Sequence, residues 1–280
     1  MPLPFILAGA AINIPAKNII DKAKIRYENA SENFKIKNKA MEESLERLEQ
    51  LQLVIGENFS KFDTLAKPLL ERLSQHQKNR YQAIQCQESK DFKINISKNN
   101  IWSRGAAILG MLVDATRASL FGIAFVGITY VEKLQEARKF QDEVDKAIEK
   151  MKLGERHAEV TRDYVNKIYD ELNRVYKIFQ RYFQDLKNMD TLVRNGADVT
   201  AIGEPIIRIT QNGYALASIL TNIITTPLFK VKQQSNGELV KDENNTIVFE
   251  TDGNGMSVIN ETEINKILTK SKHDSTKFEA

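Results

Sequence analysis

The chain has 280 residues, 42% hydrophobic and 28% charged, with 40 Lys and Arg against 37 Asp and Glu for a formal net charge of +3. This balance excludes disorder by composition and the strong one-signed field of a dedicated nucleic-acid binder. With 13 Gly, 6 Pro and a single cysteine, Cys86, a turn-rich sheet fold and a disulfide-framed secreted domain are excluded as well, and a reducing compartment is favoured.

Residues 1–16, MPLPFILAGAAINIPA, form an apolar opening without the basic flank of a secretory signal, although Ala8-Gly9-Ala10 imitates a cleavage site. The segment is expected to cap a helical bundle or to dip into a bilayer. No proline lies between Ala16 and Lys67 or between Leu69 and Glu204, so long helices are permitted in both stretches. From Tyr27 a walk of alternating three- and four-residue steps lands on Phe34, Met41, Leu48, Ile55, Phe62 and Leu69, a coiled-coil stripe with mixed charges between. Pro68 is expected to kink this helix.

A second stripe runs through Leu134, Ala137, Val144, Ile148 and Met151, pauses at Gly154 as a possible break, and resumes from Ala158 to Met189 with many aromatics. Helices of this length bury such stripes on one another, most simply as two antiparallel arms. Asp190 and Asn195-Gly196 read as stop signals, and Ile206 to Phe229 as a further apolar helix ended by Thr226-Pro227. After Phe229, Ser235-Asn236-Gly237 reads as a hairpin turn, Thr246 to Phe249 as strand-like, Glu261 to Lys270 as a short helix, and Ser271 to Ala280 as a frayed end. The expected organisation is 1–16 apolar, 17–229 a helical bundle with a hydrophobic helix at 105–131, and 230–280 a small β hairpin and tail.

Between Gly105 and Val131 the chain is apolar except for Asp114, Arg117 and a few hydroxyls. As a helix its 27 residues rise about 40 Å, more than the roughly 30 Å hydrocarbon core of a bilayer. Its charge-free part, Ala118 to Val131, is short enough for a buried or interfacial helix instead. Leu109, Met111, Leu112, Leu120, Phe121, Ile123, Phe125, Val126 and Ile128 are the candidates for insertion into lipid or for a bundle core. Ala106, Gly110, Ala118 and Gly122 recur at a helix-packing spacing, and Asp114 and Arg117, three apart, are placed to form an intramembrane ion pair. Trp102 and Tyr130 flank the run.

No phosphate-binding glycine loop, nucleophile elbow or zinc-protease pair occurs, and His76, His157 and His273 are scattered away from metal-ligand spacing. Asp252-Gly253-Asn254-Gly255 lacks the spaced ligands of a calcium loop and reads as a turn. The aromatics from Tyr164 to Phe183 interleave with basic residues as in a base-stacking surface, but their helical spacing points to a core and acidic neighbours oppose phosphate.

The order of these features, an MPLPFILAGAA start at Met1 to Ala11, a charged helix from Lys17 to Ile84, the apolar middle, a returning helix from Glu132 to Met189 and the turn Thr226-Pro227-Leu228, resembles a set of poorly characterised bacterial coiled-coil proteins. The resemblance implies membrane association and supplies no active site. This chain departs from that set in its shorter middle, which carries Asp114 and Arg117.

Together these readings predict an all-α protein with elongated antiparallel coiled-coil arms, a hydrophobic central helix and a small C-terminal β appendage. They predict no catalysis and no cofactor, with membrane lipid and a second copy or another protein as partners, and neither nucleic acid nor a small-molecule substrate. The expected location is the cytoplasmic side of a membrane, or the cytoplasm if the central helix is a bundle core. The alternatives are a soluble coiled-coil adaptor and, less favoured by the single short insertion helix, a helical pore.

Overall fold

A computed structural model describes residues 14–73, 130–235, 238–243 and 247–279. Among them lie four helices, α1 (Ile14–Glu71), α2 (Tyr130–Arg194), α3 (Gly203–Thr225) and α4 (Glu261–Thr276), and the protein is mainly helical, as its composition predicts. The chain divides into two compact units. Of the described residues, one gathers 14–42, 130–162 and 252–256; the other gathers 43–73, 163–235, 238–243, 247–251 and 257–279.

The two long helices follow a strict seven-residue burial pattern. On α1, Phe34, Met41, Leu48, Ile55, Phe62 and Leu69 are all buried, and on α2 so are Ala137, Val144, Met151, Ala158, Val165, Leu172, Phe179 and Leu186. A second α2 series, Phe140, Ala147, Gly154, Thr161, Ile168 and Val175, is buried between them. Apolar residues at this spacing keep one seam of a helix facing a partner for its whole length.

In the first unit, Ala23 packs with Phe140, Val144 and Ile148, joined by Ile20, Tyr27 and Ala30. Arg26 pairs with Asp145 at 2.8 Å and Lys37 with Glu159 at 2.6 Å. Position on α2 thus rises with position on α1, and the helices run parallel. The same holds in the second unit, where Asn58 bonds Tyr176 at 2.5 Å and the Phe62 ring meets Phe179 and Phe183. The expected antiparallel arms are therefore corrected to a parallel pair. Antiparallel neighbours follow from short loops, but residues 72–129 separate these helices. Those 58 residues have a reach of about 190 Å, against the roughly 87 Å contour of a helix as long as α1.

Gly154, read as a break, lies inside α2. A Cβ there would stand 2.5 Å from Phe34 Cε2, so the glycine admits the ring and does not end the helix. α1 likewise continues through Pro68 to Glu71, and finishes with Arg72 and Leu73 donating to the carbonyls three residues back.

The remaining helices complete the second unit. α2 ends where Asn195-Gly196 predicts: Gly196, at φ 93°, donates to Val193 O, and Ala197 donates to Leu192 O at 3.0 Å. This pairing satisfies two end carbonyls and needs the left-handed conformation that glycine adopts without strain. The short connection then turns α3 antiparallel to α1, with Leu73 on Ile207 and Asp63 accepting from the Tyr214 hydroxyl at 2.8 Å. α3 ends at Thr226, whose extended backbone precedes Pro227. Packed on α3, α4 runs parallel to α2.

Between α3 and α4 the backbone makes isolated antiparallel bridges, Phe229–Ile259, Val231–Phe249, Gln233–Leu239, Lys241–Ile247 and Thr251–Ser257, and no strand among the described residues. Lys232 donates to Val248 O, Val248 to Val240 O and Val240 to Lys232 O, closing a ring of three bonds at 2.8–2.9 Å. Lys230, Val258 and Glu250 close a second ring in the same sense. Each of these residues gives its N–H to one segment and its carbonyl to another. Its backbone groups are satisfied although no two-strand ladder extends.

The segment expected to fray is instead helical through Thr276, with Ser271, Ser275 and Phe278 buried. The first 13 residues and the hydrophobic stretch 105–129 lie outside the described residues, as do His76, Cys86 and Trp102. No helix among the described residues is long and apolar enough to cross a membrane.

Candidate functional site

Every residue singled out for insertion (Leu109, Met111, Leu112, Leu120, Phe121, Ile123, Phe125, Val126 and Ile128), for close helix packing (Ala106, Gly110, Ala118 and Gly122) or as an ion pair (Asp114 and Arg117) falls outside the described residues. What the described chain brings together is a polar cluster between α2 and α4 in the second unit.

Glu171 is 4% exposed on α2, one position before the buried seam residue Leu172. Its carboxylate accepts from Arg174 Nε at 3.0 Å, from Arg174 Nη2 at 2.7 Å and from Ser271 Oγ at 2.7 Å. Arg174 Nη2 also donates to Ser275 Oγ at 2.5 Å, and its Nη1 to Glu279. The Ser275 hydroxyl closes the cluster by donating to Ser271 O at 2.7 Å. Two α4 hydroxyls and the carboxylate that follows the helix are thereby anchored on one charge pair of α2. Tyr182 adds an edge-on contact with the Phe278 ring, centroids 6.3 Å apart.

Burial pushes the Glu171 carboxyl upward, but hydrogen bonds from Arg174 and Ser271, with the charges of Arg174 and Lys272, outweigh it and hold the group below the ordinary carboxylate range. The forked Arg174 contact is the geometry in which guanidinium and carboxylate interact most strongly. Elsewhere in this unit, burial and the neighbouring Glu46 carboxylate raise Glu49.

In the first unit, the Asp252 carboxylate accepts from the backbone of Asn254 at 2.8 Å and of Met256 at 2.9 Å, folding 252–256 into the turn its sequence predicts. His157 is half-buried on α2. Burial lowers its pKa, and the Asp252 carboxylate opposes that shift without reversing it. The folded state therefore favours the neutral imidazole. Its contribution to stability is complete above pH of about 6.5 and is lost as pH falls through the lower native value. The urea midpoint, followed by circular dichroism, is expected to drop between pH 7.5 and 5.5 in the wild type and to drop less in His157→Gln. Equal slopes in the two proteins would remove His157 from the account.

The interleaved aromatics and cations of α2 are also placed. Tyr164, Tyr176, Phe179 and Phe183 are buried, with Lys167 4.5 Å from the Tyr164 ring centre and Lys187 4.2 Å from that of Phe183. These rings form core, and the cations stand over the Tyr164 and Phe183 rings. Among the described residues no group of His, Cys, Asp and Glu is arranged to hold a metal ion.

The Glu171–Arg174 cluster was not marked by sequence reasoning, which counted Arg174 among the basic residues interleaved with the aromatics and Glu171 among the acidic neighbours that oppose phosphate. The available signal lies in α4, where the buried stripe Ile264, Leu268 continues in register as Ser271 and Ser275. A helix face that changes from apolar to hydroxyl while staying buried needs a polar partner opposite. No protein-family model, no curated protein and no solved structure matches the chain.

Proposed function

We propose that the protein is a non-enzymatic helical scaffold that attaches to membrane lipid through its apolar stretch 105–131. Coiled-coil pairing of α1 and α2 holds the scaffold together, and the bridged segment 228–260 with α4 is its C-terminal appendage. One observation carries this reading: residues 105–131, which lead into α2, are a run of 27 interrupted by only Asp114 and Arg117 as charges. Each large apolar side chain moved out of water contributes about 1.5–3 kcal/mol, so several of them outweigh one paired Asp–Arg couple. The pairing of α1 with α2 supports the scaffold part, because their seven-residue seams bury on each other and a bound segment between them is held at a defined place in the chain. The resemblance to bacterial membrane-associated coiled-coil proteins points the same way.

The second reading is an adaptor that binds a partner helix, and the exposure of Ile25 (57%) and Ile36 (56%) about three turns apart on one face of α1 favours it. Fractionation separates the two. The full chain is expected in the membrane pellet after an alkaline carbonate wash, and Phe121→Lys with Phe125→Lys is expected to release it with unchanged helical circular dichroism. Wild type recovered entirely in the high-speed supernatant overturns the membrane reading. Loss of helicity in the double variant assigns the two rings to a folding core.

A further inference from the structure

The outward face of α4 carries a row of basic residues that the Glu171–Arg174 cluster, the clasp between α2 and α4, does not use. At 3.6 residues per turn, Lys266, Lys270, His273 and Lys277 fall within an arc of about 60°, and all four are exposed. The buried residues Ile264, Leu268, Ser271 and Ser275 centre on the opposite side, so the same contacts that dock α4 on α2 turn the basic residues outward. No carboxylate falls within the arc itself, although Glu263 and Asp274 flank it. Glu261 and Glu263 occupy the first turn, where the helix dipole favours them, and Glu279 is held by Arg174. Asp274 is half-buried at the margin of the arc. Lys266 meets Glu263 at 3.4 Å in a solvent-exposed pair of little strength. Lys270 and Lys277 make no ion pair among the described residues, and the Lys277 ammonium stands 4.9 Å from the Phe278 ring centre.

We propose that this face of α4 is a docking surface for the anionic headgroups of a lipid bilayer. Lysines at 266, 270 and 277, aligned on one side of the helix and its C-cap, can meet a plane together. Lysines bring compact charges on flexible stems that follow mobile headgroups, whereas fixed phosphates of a nucleic acid are better matched by the arginine fork. The inference rests on the membrane attachment proposed above but uses different residues, so the two fail separately.

The test is sedimentation of the full chain with vesicles of phosphatidylcholine alone or mixed with phosphatidylserine. Wild type is expected to bind the phosphatidylserine vesicles more tightly, with the excess falling as salt screens the contact. Each lysine near such a surface is worth about fivefold in partitioning, so Lys270→Glu with Lys277→Glu should weaken that binding about tenfold or more. Lys270→Arg with Lys277→Arg should retain it, and Lys270→Gln with Lys277→Gln serves if charge reversal disturbs the helix. Equal binding to both vesicle types overturns the proposal, as does phosphatidylserine binding unaffected by the glutamine pair. Tighter lysine-dependent binding to a nucleic-acid duplex overturns it too. A Phe121→Lys, Phe125→Lys protein that loses binding to phosphatidylcholine but keeps the phosphatidylserine excess supports it. If that variant binds phosphatidylcholine as wild type does, attachment through 105–131 fails and the lysine variants still decide the α4 surface.

Discussion

Truncating Phe62 to alanine is expected to destabilise the second unit by about 3–5 kcal/mol, the range for removing a fully buried ring. Phe62 lies at the meeting point of three helices. Its ring is tilted on Phe179 at 5.3 Å, edge-on to Phe183 at 6.0 Å and edge-on to Tyr214 at 5.5 Å. Gly213 of α3 makes this possible, since a Cβ there would stand 2.1 Å from Phe62 Cζ. The ring cannot rotate away, because aromatic neighbours occupy its other sides. Gly213→Ala is therefore expected to cost about 1–3 kcal/mol through overpacking, despite alanine's better helix propensity. The two changes should also couple: in Phe62→Leu the added methyl group at 213 finds room, and the double variant loses less than the sum of the singles. Urea denaturation of the four proteins measures this. A Gly213→Ala protein as stable as wild type would show that α3 does not approach α1 as closely as described.

The second large effect belongs to the clasp. Arg174→Met leaves the buried Glu171 carboxylate with only Ser271 as a side-chain donor in the cluster. Its expected cost is about 2–3 kcal/mol, toward the lower end for a broken buried pair because the Arg174 side chain is 34% exposed and water can enter. Glu171→Leu combined with Arg174→Met should be milder than Arg174→Met alone, since removing both partners leaves no buried charge. Hydrogen exchange locates the effect. Amides of α4 should lose protection in Arg174→Met while those of α1 in the first unit keep theirs. The pH dependence follows from the lowered Glu171 pKa. Its stabilisation is complete above the unfolded carboxylate value of about 4.3 and is lost as pH falls through the lower native value, so α4 should loosen only in acid. Uniform protection across pH in the wild type and the variant would leave the clasp without a role in holding α4.

The long helices were legible because their information is local and repeated. The seam from Phe34 to Leu69 is visible as spacing alone, and the same residues are the ones buried. Stop signals at Asn195-Gly196 and Thr226-Pro227 were readable for the same reason: left-handed and pre-proline backbone are properties of single residues. Gly154 and Gly213 show the limit. Each looks like a helix breaker in isolation and acts as a seat for a ring more than a hundred residues away in the chain.

The clasp was illegible for a related reason. Glu171 and Arg174 have the spacing of an ordinary exposed pair on a helix, and only the arrival of Ser271 and Ser275 turns them into a buried one. What the amino-acid order determined by itself is the helical class, the C-terminal ends of α2 and α3 and the two buried seams, because these depend on periodicity and on the conformational limits of individual residues. Tertiary structure alone decided the parallel direction of α1 and α2 and the polar seat of α4. Direction depends on which side chains fill which gaps once a long connection leaves both senses open, and a charge is buried or solvated only according to what docks over it.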